Sequence, residues 1–171
     1  MGTNNYQFFS AVRNQKKLDR VRALEEIFTN NPNEKESKLI AIKEYISLSN
    51  SKAGEINEYY RGKSRELLSE LLVDHRDNAV VLHYLVHAWE DTKFALDKTE
   101  EYLQTFMNSA PNSPHLSHMP AHIYFRSGNY SYSVYQFVQS FKVDTWYLKQ
   151  YVCILRRIFV FLELSIVSAR I

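Results

Sequence analysis

Residues 113–134 read SPHLSHMPAHIYFRSGNYSYSV and predict two helices joined by a tight turn. Ser113 is a favourable N-cap because its hydroxyl can accept a backbone N–H bond, and Pro114 suits the first helical position. Residues 127–129 (SGN) are turn formers that end this helix, and a second helix is predicted from residue 130 to about residue 143.

The same pattern occurs 35 residues earlier, which indicates an internal repeat. In this register His83 aligns with His118 and His87 aligns with His122, and three aromatic pairs align as well. A helix–turn–helix repeat of about 34 residues is typical of an α-solenoid. We therefore expect an all-α helix–turn–helix solenoid of about seven to eight helices, in which stability comes from stacking of neighbouring units.

The composition supports long helices and excludes several other classes of protein. Glycine and proline number only 4 each in 171 residues, too few to punctuate a sandwich or barrel of short strands. A formal net charge of +2 argues against a nucleic-acid binder held by phosphate contacts. Cys153 is the single cysteine, which excludes a disulfide framework and a cysteine-based metal site.

Residues 123–134 (IYFRSGNYSYSV) resemble the tetratricopeptide repeat in their order of aromatic, glycine and small residues. The strings HYLVHA at 83–88 and HLSHMPAHIYFRSGNY at 115–130 are similar to a bacterial group of tetratricopeptide-repeat proteins of unassigned function. The motif of that group is HxxHMPxHIYxRxG. Its chains usually continue with further repeats, whereas residues 147–171 do not look like that continuation. An altered or truncated C-terminus therefore stays open as an alternative to a terminal helix that packs on the last repeat.

The resemblance divides one solenoid domain, residues 1–171, into successive units. Residues 114–144 match the repeat best, and residues 79–113 form a degenerate copy. Residues 34–73 are expected to form a divergent helix pair, preceded by an extra N-terminal helix. Residues 147–171 are expected to form an apolar C-terminal helix.

This apolar stretch bears on membrane contact and assembly. Arg156, Arg157 and Glu163 break it into runs shorter than the roughly 18 apolar residues of a membrane span, so no span is expected. An apolar end is a poor polar cap for a solenoid, which predicts self-association through this helix. The N-terminus shows no secretory signal, and we expect a cytoplasmic protein.

The histidines are the main candidates for function. His83 and His87 lie four residues apart, as do His118 and His122, so each pair occupies one face of its helix. The resemblance implies that both pairs face the concave groove of the solenoid. Other polar residues share that register, and the expected groove set is His83, His87, Glu90, Asp91, His115, His118, His122 and Arg126.

Three interpretations of this groove remain open. The first is a binding surface for a protein or peptide, with no cofactor. The second is a metal site for zinc or another transition metal, formed by His83, His87, His118 and His122. The third is a structural role for the imidazoles. The metal site requires that the helix begin before Pro120, because a helix that begins at Pro120 would leave His118 outside it.

Enzymatic chemistry finds little support in the sequence. Residues 61–64 (RGKS) lack the glycine spacing of a phosphate-binding loop and are expected to form a solvated helix face. No nucleophile motif or HExxH motif occurs, so no catalytic residue is assigned. A metal-dependent hydrolase with Glu90 as base is the weakest alternative.

Overall fold

The computed structural model describes residues 3–50 and 55–150, and this part of the chain contains seven α-helices and no β-strand. The expectation of an all-α solenoid of about seven helices is confirmed. The helices are α1 (Thr3–Asn30), α2 (Lys35–Ser49), α3 (Glu55–Asp74), α4 (Ala79–Trp89), α5 (Ala95–Ser109), α6 (Pro114–Arg126) and α7 (Tyr130–Gln150).

The last helix is longer than predicted. It runs to Gln150 instead of ending near residue 143, because no glycine or proline interrupts residues 130–150. Residues 147–150 of the predicted C-terminal helix therefore belong to α7. Residues 151–171, and with them the predicted self-association, lie outside the described residues. None of the described helices combines the length and apolar character needed to cross a membrane.

The helices pack as three consecutive hairpins, α2–α3, α4–α5 and α6–α7, with α1 against α2. The first helices of the hairpins form a row, since α2 contacts α4 and α4 contacts α6. Within residues 3–50 and 55–150, the backbones of the second helices α3, α5 and α7 do not approach one another in this way, and α5 and α7 meet through the side chains of Met107 and Gln136. Any surface that α4 and α6 share is therefore built from two neighbouring hairpins.

Two hydrophobic clusters hold this row together. One joins α1, α2, α3 and α4 around Ile42, Leu48 and Leu68, each no more than 1% exposed. The other joins α4, α5 and α6 around Leu82 and Phe106. Both clusters include side chains of α4, so that this helix is fixed from two sides.

The ends of α6 follow the sequence prediction closely. The Ser113 hydroxyl accepts the Leu116 N–H at 3.4 Å, and Gly128 adopts a positive φ of 82° after the last turn. Pro120 lies inside α6, so the helix begins at Pro114 and contains His118. His118 and His122 therefore lie on the same helix, as the second histidine pair requires.

Small residues allow α6 and α7 to approach closely. Ser133 is 1% exposed and its hydroxyl donates to the Ala121 carbonyl at 3.0 Å. The Ser140 hydroxyl likewise donates to the Pro114 carbonyl at 2.8 Å. These bonds tie the start and the middle of α6 to α7 and thereby fix the orientation of the histidines on α6.

Candidate functional site: a histidine cluster shared by two hairpins

Helix α4 presents two imidazoles on one side and a hydrophobic face on the other. Val81, Leu82 and Leu85 are buried in the core, which leaves His83 and His87 on the opposite, partly exposed side. Their rings lie 4.7 Å apart, as expected for a spacing of one helical turn, and their Nε2 atoms are 3.1 Å apart.

Helix α6 brings three more imidazoles to the same surface. The Nε2 atom of His115, in the first turn of α6, lies 3.1 Å from the Nε2 atom of His83. The His115 ring is 5.2 Å from the His118 ring, which is in turn 5.3 Å from the His122 ring. The five rings therefore form a continuous chain of contacts from α4 to α6.

Glu90 closes this chain into a loop. One carboxylate oxygen, Oε1, lies 2.8 Å from His87 Nδ1, and the other, Oε2, lies 3.4 Å from His122 Nδ1. We call the set His83, His87, His115, His118, His122 and Glu90 the histidine cluster. Its members come from both hairpins, so its shape depends on the packing of α4 against α6.

The cluster differs from the four-histidine arrangement predicted from the sequence. The two i,i+4 pairs are present, but they meet through His115 at one end and through Glu90 at the other. His115 was predicted as a groove residue and not as a partner of His83. The difference arises because adjacent helices pack with an offset that an aligned repeat register does not specify.

Asp91 connects the cluster to a second polar group. Its carboxylate lies 3.0 Å from Arg126 Nη2 on α6 and 2.6 Å from Arg61 Nη2 on α3. Asp91 and Arg126 were both predicted groove residues, and the structure pairs them across the two hairpins. Asp91 is thereby held at the end of α4 by cations from both neighbouring hairpins.

Arg61 was missed by the sequence analysis, and the solvated face expected for residues 61–64 is wrong. Arg61 is 4% exposed and Ser64 is fully buried. Arg61 Nη1 donates to the His87 carbonyl at 3.2 Å, and Arg65 Nε donates to the Ala88 carbonyl at 3.0 Å. These carbonyls end α4 and lack helical partners, which explains why α3 buries an arginine against them.

Phe137 of α7 packs against the α6 histidines. Its ring centroid lies 6.2 Å from that of His118 and 6.0 Å from that of His122. His118 Nδ1 also lies 3.2 Å from the Pro114 carbonyl. Because a carbonyl only accepts, this contact assigns the His118 proton to Nδ1 and leaves Nε2 with its lone pair.

Burial lowers the pKa of four of the imidazoles below the ordinary value of about 6.5. The pKa of His83 falls to about 3 through burial and the neighbouring imidazoles, and that of His118 falls to about 4 for the same reasons. Burial also lowers the pKa of His115 and His122, and at His122 the Glu90 carboxylate opposes the change. At neutral pH each of these rings is uncharged and offers one hydrogen-bond donor and one acceptor.

As the rings now stand, no three or more His, Cys, Asp or Glu side chains in residues 3–50 and 55–150 are placed to hold a metal ion. The contacts of the cluster are hydrogen bonds and ring packing. The side chains of Asp91 and Arg126 are 45% and 55% exposed, so the rim of the cluster is open to solvent. This arrangement can bind groups that donate and accept hydrogen bonds.

Comparison of the chain with protein-family models, with curated proteins and with solved structures gives no match. The resemblance to tetratricopeptide repeats therefore stays a prediction, and the functional argument depends on the geometry of the cluster.

Proposed function

We propose that the chain is a protein- or peptide-binding repeat module that uses the surface shared by α4 and α6 as its groove. The single observation that carries this proposal is the position of five imidazoles, side by side, outside both hydrophobic clusters. A purely structural role would place such rings among the core side chains.

The chemistry of the surface suits a peptide better than a nucleic acid. A neutral imidazole presents one N–H and one lone pair, which complement the carbonyl and N–H of a peptide group. The charges nearby are balanced, because Glu90 and Asp91 stand beside Arg61 and Arg126. A phosphate backbone would require a clear excess of cations.

The proposed partner is an extended peptide segment that crosses from α4 to α6. Arg126 and Asp91 at the rim would bind side chains of opposite charge, and the exposed Phe125 ring, 46% accessible, would supply an apolar contact. The proposal includes the tetratricopeptide-like character of the repeats and the cytoplasmic location expected from the sequence. Hydrolysis with Glu90 as base is less favoured, since both of its carboxylate oxygens already contact histidines.

Selection from a random peptide library on the untagged full chain tests this proposal. Selected peptides should lose at least about tenfold in affinity for Arg126→Ala, which corresponds to about 1.4 kcal/mol. The matched control is Lys142→Ala on α7, an exposed cation whose contact is Gln139 within its own helix. Failure to select any peptide, or equal losses in the two variants, would reject the groove.

A further inference from the structure

The Nε2 atom of His83 lies 3.1 Å from the Nε2 atoms of both His87 and His115. His87 Nδ1 lies 2.8 Å from a Glu90 carboxylate oxygen, which can only accept a hydrogen bond. This contact places a proton on His87 Nδ1, and in that tautomer the Nε2 lone pair is directed toward His83. A carboxylate behind the ring is the usual companion of a metal-bound histidine, because it fixes the tautomer and raises the basicity of the ligand.

His83 Nε2 has two nitrogen neighbours, at 3.1 Å each, on His87 and His115. Each imidazole nitrogen has one in-plane orbital directed out of the ring, which carries either a proton or a lone pair. Since His87 Nε2 is an acceptor, one proton on His83 Nε2 has to serve both neighbours. Three nitrogens thus share a single proton, and a cation in its place would satisfy all three.

We propose that His83, His87 and His115 form a binding site for a first-row divalent transition-metal ion such as Zn²⁺, with its fourth position open to water. The ligand set differs from the one predicted by the repeat register. The proposal goes beyond peptide binding and does not depend on it.

The two Nε2 separations from His83 are close to those of a zinc site. Two nitrogens bound tetrahedrally to zinc at about 2.0–2.1 Å lie roughly 3.3–3.4 Å apart. The observed separations of 3.1 Å are shorter by a few tenths of an ångström. The rings are placed here for hydrogen bonding, so ion binding has to turn them until the three lone pairs converge. The His115 side chain is exposed in the first turn of α6, which gives the ion access from solvent.

Calorimetric titration of the untagged, EDTA-treated full chain with ZnCl₂ tests the site. We expect one ion per chain with micromolar or tighter affinity, and Co²⁺ should give the visible spectrum of a tetrahedral site. His83→Ala and His115→Ala should each weaken Zn²⁺ binding by more than about 100-fold, and Glu90→Gln by about 10- to 100-fold. His115→Ala changes an exposed position, so it stays informative if His83→Ala fails to fold.

Two further variants make the result specific. His75→Ala removes the one histidine outside the cluster and should leave Zn²⁺ affinity unchanged. His118→Ala separates the three-histidine site from the four-histidine arrangement expected from the repeat. The proposal is overturned if the unaltered chain binds no Zn²⁺ at micromolar concentrations. It is equally overturned if His115→Ala retains full affinity, or if His118→Ala abolishes binding while His115→Ala does not.

Discussion

Replacement of Arg61 by methionine tests whether α3 and α4 jointly hold the candidate site. Methionine keeps much of the apolar stem and removes a guanidinium that is only 5% exposed. Its hydrogen bonds to the Asn50 and Asn57 amide oxygens (both 3.0 Å), the His87 carbonyl (3.2 Å) and Asp91 (2.6 Å) are lost.

The expected loss of unfolding free energy depends on which of these partners keep another hydrogen-bond donor when Arg61 is removed. Asp91 is 45% exposed and keeps Arg126, so loss of that ion pair is expected to cost about 1 kcal/mol. The His87 carbonyl at the end of α4 loses its donor in a partly buried place, which adds about 1–2 kcal/mol. The free energy of unfolding should therefore fall by about 2–3 kcal/mol, and the Tm by about 5–10 °C.

Chemical and thermal unfolding of three proteins would decide the matter: the unaltered chain, Arg61→Met and Lys63→Met. Lys63 is the matched control because it lies on the same helix and pairs with Glu66, both side chains being well exposed. Its replacement should cost less than about 0.5 kcal/mol. Equal losses in the two variants would refute the argument that a buried arginine caps α4.

Three other changes probe the remaining parts of the account. In EDTA, the chain should lose about 2 kcal/mol of unfolding free energy for each of His83 and His118 between about pH 7 and about pH 5. Their pKa values of about 3 and about 4 mean that only the unfolded chain takes up these protons as the pH falls below about 6.5. Urea titrations showing equal stability at both pH values would contradict this. Gly128→Ala should destabilise the chain by about 1 kcal/mol in urea titrations, because a φ of 82° strains any residue with a Cβ, and an unchanged midpoint would argue against the left-handed turn. Ser133→Leu should cost about 2 kcal/mol or more by overpacking α6 against α7, whereas the exposed Ser131→Leu should be nearly neutral in the same thermal scan.

The sequence predicted α6 well because the signals that define it are local. The Ser113 cap and the turn at Gly128 each act within one or two helical turns. The end of α7 was predicted less well, because residues 143–150 contain no glycine or proline to mark where a helix stops. The helix continues through them to Gln150.

The candidate site was predicted only in part. Spacing alone places His83 beside His87 and His118 beside His122, since both pairs are four residues apart on one helix. The contact between His83 and His115 depends on how α4 and α6 are offset, which is set by side-chain packing between hairpins. Arg61 was missed for a related reason. Three of its four partners lie outside its own helix, at Asn50, His87 and Asp91, and a charged residue in a helix usually faces solvent.

The central claim is that α4 and α6 place their imidazoles on one shared surface, joined between His83 and His115. A nuclear Overhauser measurement between the ring protons of these two residues, in the EDTA-treated chain, tests it most directly. With ring centroids 4.9 Å apart, we predict a clear cross-peak between the two rings, which His115→Ala removes. Absence of this cross-peak in a folded chain whose His83 and His87 rings do show one would contradict the shared surface.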